Sequence, residues 1–141
     1  MKITGQCHCG AIRFTALADP GKVFACHCAD CQIISGGPFR AVLPVPVEQV
    51  ELTGSPRHYV KVAASGNRRA QAFCSDCGTQ LFATEADTPR TLNIRLGCVN
   101  ERADLPPRLQ VWHDSAMPWL GELAGVAAHG RGRDSPQVNA A

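Results

Sequence analysis

Cys26-His27-Cys28-Ala29-Asp30-Cys31 sets three thiols within six residues. Neither a hydrophobic core nor a lone disulfide accounts for that density, so this stretch constrains the fold more than any other. Side chains of an extended chain alternate with period two, which turns Cys26 and Cys28 to one face and the His27 ring to the other. The two residues before Cys31 leave room for a turn that returns the third thiol to the first two. Three soft ligands so arranged suit zinc, whose sulfur bonds are about 2.3 Å and whose geometry is tetrahedral. Three ligands leave a tetrahedron one short, and an open position separates a catalytic zinc from a structural one. Two readings follow for Cys26, Cys28 and Cys31. One is an open, catalytic site; the other is a closed structural site completed by His27, Cys98 or a distant residue. The open site is favoured, because His27 faces away and Cys98 lies on the apolar face of its strand, where a free thiol usually belongs to the core.

A second set of thiols is spaced for a closed site. Cys7-His8-Cys9-Gly10 and Cys74-Ser75-Asp76-Cys77-Gly78 are two knuckles, each followed by glycine and separated by a long insert. Cys7, Cys9, Cys74 and Cys77 are therefore expected to hold a structural zinc that ties the first knuckle to the middle of the chain. Such a site supplies folding free energy on the order of 10 kcal/mol. His8 reads as a surface residue within its knuckle.

The chain has 141 residues, the size of one domain with its own core. A hydrophobic fraction of 45% with 18% charged residues reads as globular, and a net charge of +2 gives no reason to expect nucleic acid or an anionic membrane as partner. No apolar run reaches transmembrane length, and Met1 to Gln6 lacks the apolar stretch of a signal peptide. A cytoplasmic, reducing location is the expectation, in which eight cysteines serve as ligands rather than as disulfide partners.

Taken in order, the chain reads as short strands and turns. Ile12 and Phe14 alternate with Ala11 and Arg13; Val23 to Ala25 leads as a strand into the three thiols. Ser35-Gly36-Gly37-Pro38 reads as a loop able to approach a ligand, with backbone amides to offer. Phe39 to Val47 is apolar but interrupted by Pro44 and Pro46, which predicts an edge strand. Arg57 to Ala63 and Arg68 to Phe73 flank Ser65-Gly66-Asn67 as a hairpin, and alternation sends Arg68 and Arg69 to opposite faces. Thr91 to Cys98 alternates most cleanly. Phe39, Trp112 and Trp119 are candidate walls of a pocket, although aromatics on strands are commonly core. No sustained helical periodicity stands out. The reading is one all-β domain over residues 1–125 and a polar, flexible C-terminal tail over 126–141.

At these residues the chain resembles the glutathione-dependent formaldehyde-activating enzyme family, which includes the centromere protein V domain. The resemblance rests on Gly5-Gln6-Cys7-His8-Cys9-Gly10, on Cys26 to Cys31 with Ser35-Gly36-Gly37, on Phe73 to Gly78, and on Trp112 with Pro118-Trp119-Leu120. It implies an all-β fold of several short, coiled antiparallel sheets around zinc-binding cysteine knuckles. That fold is similar to the Rab-binding zinc chaperones and methionine-R-sulfoxide reductases. It also implies two zinc ions per chain, one structural on Cys7, Cys9, Cys74 and Cys77 and one catalytic on Cys26, Cys28 and Cys31. The implied activity is that of a carbon–sulfur lyase handling S-hydroxymethylglutathione, the adduct of glutathione and formaldehyde. Two alternatives belong to other classes: a non-catalytic zinc module that binds a protein, and a sulfoxide reductase with Cys98 as nucleophile.

Overall fold

The computed structural model describes residues 1–139, and the end of the tail expected over 126–141 lies outside them. Among the described residues, ten strands form two sheets. β1 (Lys2–Gln6), β2 (Arg13–Leu17) and β5 (Val50–Thr53) make a three-stranded sheet in the order β1-β2-β5. The larger sheet runs β10-β3-β4-β9-β8-β7-β6. Its members are β3 (Phe24–Cys26), β4 (Arg40–Pro46), β6 (Arg57–Val62), β7 (Arg68–Phe73), β8 (Gln80–Glu85), β9 (Thr91–Arg95) and β10 (Leu109–Val111). Every pairing is antiparallel except β10 with β3. No helix among the described residues is long and apolar enough to cross a membrane.

The core lies between the two sheets, and period-two alternation decides what enters it. Ile3, Phe14 and Ala16 from the small sheet meet Leu43, Val45, Phe82, Leu92 and Ile94 from the large one. Cys7 and Cys74 belong to the same buried cluster, so the two knuckles grow directly out of the core. Gly5 marks the tightest approach: a Cβ there would sit 2.2 Å from the Phe14 ring and 2.4 Å from the Cys98 carbonyl oxygen.

The segment from Phe39 to Val47 and the segment after Cys28 differ from the sequence reading. β4 is an edge strand only in part. Its first half lies between β3 and β9, with Arg40 opposite Cys26 and Val42 opposite both Phe24 and Arg95. β3 is three residues long, so its ladder stops at Val42, and Pro44 and Pro46 lie beyond that ladder, where only β9 pairs with β4. A proline removes no ladder hydrogen bond at such a place.

The second difference is α1 (Ala29–Ser35), a seven-residue helix through the expected turn and into the expected loop. Cys28 is its N-cap, with the sulfur accepting from the Cys31 amide at 3.3 Å, and Asp30 lies in the first turn. Gly36 ends it at φ 67°, the left-handed conformation that glycine adopts without strain. Its amide and that of Gly37 turn back to the carbonyls of Gln32 and Ile33, so they cap the helix and are not offered to a ligand. At the other end of the chain, the segment after Gly125 folds back on itself. The Val138 amide donates to Ala128, and the Gly130 amide to Pro136.

Candidate metal centre and its cationic cleft

The two sets of thiols that the spacing singled out are brought together as two groups, each with sulfurs within 4.8 Å of one another. In the first group Cys7 and Cys9 extend from β1, and Cys74 and Cys77 follow β7. Cys7 Sγ lies 3.6 Å from Cys9 Sγ, which lies 3.8 Å from Cys74 Sγ. Tetrahedral bonds of about 2.3 Å set sulfurs about 3.8 Å apart, so this group suits an ion such as zinc. The glycines after the knuckles have φ of 80° at Gly10 and 77° at Gly78, closing turns that L side chains resist. Amide and hydroxyl donors surround the sulfurs. Ile12 N–H reaches Cys7 Sγ at 3.3 Å, and the Thr79 hydroxyl lies 3.2 Å from Cys77 Sγ. The Thr79 hydroxyl and amide hold Cys77 down to about 5. Cys9 receives the Ala11 amide, yet its shared proton with Cys7 pushes it up to about 12. Thiols that hold one another's protons release them together to a cation.

The second group is Cys26 at the end of β3, Cys28 at the helix cap and Cys31 in the first turn of α1. Its three sulfurs come from one local turn, and among the described residues no fourth His, Cys, Asp or Glu joins them. His27 faces away, as alternation requires. It is buried, its Nε2 lies 2.8 Å from Gln110 Oε1, and its ring packs against Phe39 and His113. Burial opposes ionisation of Cys28, but the Cys31 amide, the neighbouring thiols and Lys61 keep it below its ordinary value. Cys31 is pushed up by burial, against the pull of Arg40.

Cys98 stands apart from both groups. It is buried in a single turn over Leu96–Cys98, where the strand expected to continue to Cys98 has already ended at Arg95. Its sulfur lies 3.1 Å from the Arg95 carbonyl, and burial pushes its thiol up to about 11. That is the setting of a core thiol, neither a fourth ligand nor an exposed nucleophile.

Beside Cys26 and Cys31 opens a cleft of about 210 Å³, also lined by Arg40, Lys61, Arg69 and Arg95. These cations are functional candidates that the sequence reading did not weigh, Arg69 excepted. Arg68, by contrast, leaves the cleft and pairs with Asp87. A larger cavity of about 670 Å³ lies on the His27 side, walled by Phe39, His113, Met117 and Leu120. Phe39 lines it as expected; Trp112 and Trp119 do not and stay largely exposed.

The family profile described as glutathione-dependent formaldehyde-activating enzyme matches residues 2–115, most of the chain. The chain belongs to this family. A Schizosaccharomyces pombe protein named as an uncharacterised lyase is 33% identical over 94 residues, which are 65% of this chain and 66% of that protein. The chain thus spans about two thirds of that relative. A Halomonas elongata protein, whose name places it among glutathione-dependent formaldehyde-activating enzymes, is 22% identical over 126 residues. That alignment covers 85% of this chain and 80% of the relative. The crystal structure of a Rhodobacter sphaeroides protein superposes with a TM-score of 0.58 at 16% identity, covering 79% of this chain and all of that one. The likeness extends the mostly β, two-sheet fold to a solved structure.

Proposed function

We propose that this member of the family is a carbon–sulfur lyase-type enzyme that joins and separates a small thiol and an aldehyde, with glutathione and formaldehyde as the pair. The observation that carries the reading is the three-thiol group, which no fourth His, Cys, Asp or Glu among the described residues joins and which borders an open cleft. Cys26, Cys28 and Cys31 would hold a zinc ion with one position left, while Cys7, Cys9, Cys74 and Cys77 would hold a second as a structural staple. A bound zinc supplies a site at which a thiol is held as its thiolate near neutral pH.

In the joining direction the thiol sulfur forms a bond to the aldehyde carbon. The carbonyl π electrons pass to oxygen, which takes up the proton the thiol gave up, so no atom is lost and no oxidant is needed. The chain's own groups prepare that step. The Cys31 amide and Lys61 favour the thiolate form of Cys28. Cys26 is fixed by its ladder with β4, and Cys31 by the helix, so the group is held before any ligand arrives. Three thiolates leave a divalent ion with a net charge of about −1, a weak Lewis acid but an acceptable partner for a fourth sulfur. That favours thiol chemistry over hydrolysis.

Exchange between formaldehyde, glutathione and their adduct is measurable by NMR line shapes. Zinc-loaded protein is expected to speed the exchange well above the uncatalysed rate. An exchange rate equal to that with buffer and free zinc would sink the proposal.

A further inference from the structure

The cleft beside Cys26 is built by one face of the large sheet. Strand register turns Cys26, Arg40, Arg95, Gln71, Arg69 and Lys61 to the same side, the side opposite the core. Arg40 is directly across from Cys26, which puts their Cβ atoms about 5 Å apart. Arg69 stands between Lys61 on β6 and Glu85 on β8, and Lys61 in turn pairs with Asp30. Arg40 and Arg95 are 7% and 6% exposed, so both are more than nine-tenths buried. They converge on one neutral acceptor, Gln71 Oε1, and Arg40 Nε also donates to Ser35 Oγ at 2.9 Å.

Two of their nitrogens, Arg40 Nη2 and Arg95 Nε, have no partner at all. No carboxylate among the described residues forms a salt bridge with Arg40 or Arg95. Asp30 pairs with Lys61, and Glu85 accepts from the amides of Arg90 and Thr91. Buried cations without a counter-ion are rare, because removing them from water costs several kcal/mol each. The cost shows at Arg95, which burial and the repulsion of Arg40 pull down to about 9. The thiols do not remove the imbalance. A divalent ion on three thiolates carries a net charge of about −1, and the two guanidinium groups outweigh it.

We propose that Arg40 and Arg95, positioned by Gln71, form a carboxylate seat. Its occupant is a carboxylate of the thiol that the neighbouring thiol group takes. The inference rests on the function proposed above and adds the chemistry that selects the substrate. Planar guanidinium forks match carboxylates in a way that an ammonium does not. A cleft of about 210 Å³ admits the end of a small peptide, not a bulky ligand. Arg69 and Lys61 lie at the rim with Glu85 and Asp30 beside them, so the uncompensated positive charge sits at Arg40 and Arg95.

Calorimetry on zinc-loaded protein tests the seat with three probes: glutathione, its diethyl ester and S-methylglutathione. The ester keeps the thiol and loses both carboxylates; S-methylglutathione does the reverse. The ester is expected to bind at least about tenfold more weakly than glutathione, and Arg95→Met to abolish that preference. Ligand-free Arg95→Met is expected to melt at or above the wild-type temperature, because it removes a buried, unpaired charge. The seat is overturned if ester and acid bind wild-type protein equally, if the variant keeps the preference, if none of the three probes binds, or if the variant melts far lower, as loss of a structural arginine would require. If S-methylglutathione binds as tightly as glutathione while the ester does not, the seat stands and the thiol reading of the metal site falls.

Discussion

Cys74→Ser is expected to leave the chain largely unfolded at room temperature. Cys74 is 1% exposed and sits in the core cluster with Cys7, so the new hydroxyl is buried among apolar groups and the four-thiol group loses one member. That group joins the end of β1 to the end of β7, closing a loop of most of the domain. A structural zinc contributes on the order of 10 kcal/mol to folding, comparable with the whole stability of a small domain. Losing one thiolate forfeits enough of it to tip the balance. Thermal melts followed by circular dichroism check this; a melting point within a few degrees of wild type would contradict it.

Cys28→Ser is expected to behave in the opposite way: a folded protein without activity. Its three-thiol group draws on one short stretch, so it crosslinks no distant segments. Serine also serves as a helix N-cap, so its oxygen can take over the bond from the Cys31 amide and α1 keeps its start. The melting point should fall by only a few degrees. Formation of S-hydroxymethylglutathione above background should drop at least about a hundredfold, since loss of a ligand costs no less than loss of the groups that orient one. Activity near wild type, or a melting point as low as that of Cys74→Ser, would undo the division between a structural and a reactive group.

The cysteine groups were legible because thiol spacing is a local property. Cys-x-Cys in extended chain presents both sulfurs to one side whatever the rest of the fold does, and glycine after each knuckle marks the turn. The Arg57–Val62 and Arg68–Phe73 hairpin was legible for the same reason, as was the divergence of Arg68 from Arg69. Helix α1 was not. Seven residues are too few to display a 3.6 period, and its cap is a cysteine rather than the usual serine or aspartate. Pro44 and Pro46 signalled an edge correctly for their own half of β4. How far β3 extends alongside is a tertiary fact that no local pattern carries. Arg40 and Arg95 were hidden most thoroughly. Their neighbourhood exists only once β3, β4, β9 and β7 are side by side; on the sequence each is an arginine beside an apolar run. The available signal was the lone charge inside otherwise apolar strand segments, a placement that burial makes costly unless something answers it.

The ion proposed for Cys26, Cys28 and Cys31 keeps a position for a fourth sulfur from outside the chain. X-ray absorption at the zinc edge, on protein loaded with two ions, tests it most directly. Averaged over a four-thiolate and a three-thiolate site, about 3.5 sulfurs per ion are expected without added thiol, rising to about 4 with glutathione. A value of about 4 sulfurs before any thiol is added, or a value near 3.5 that glutathione leaves unchanged, would contradict the claim.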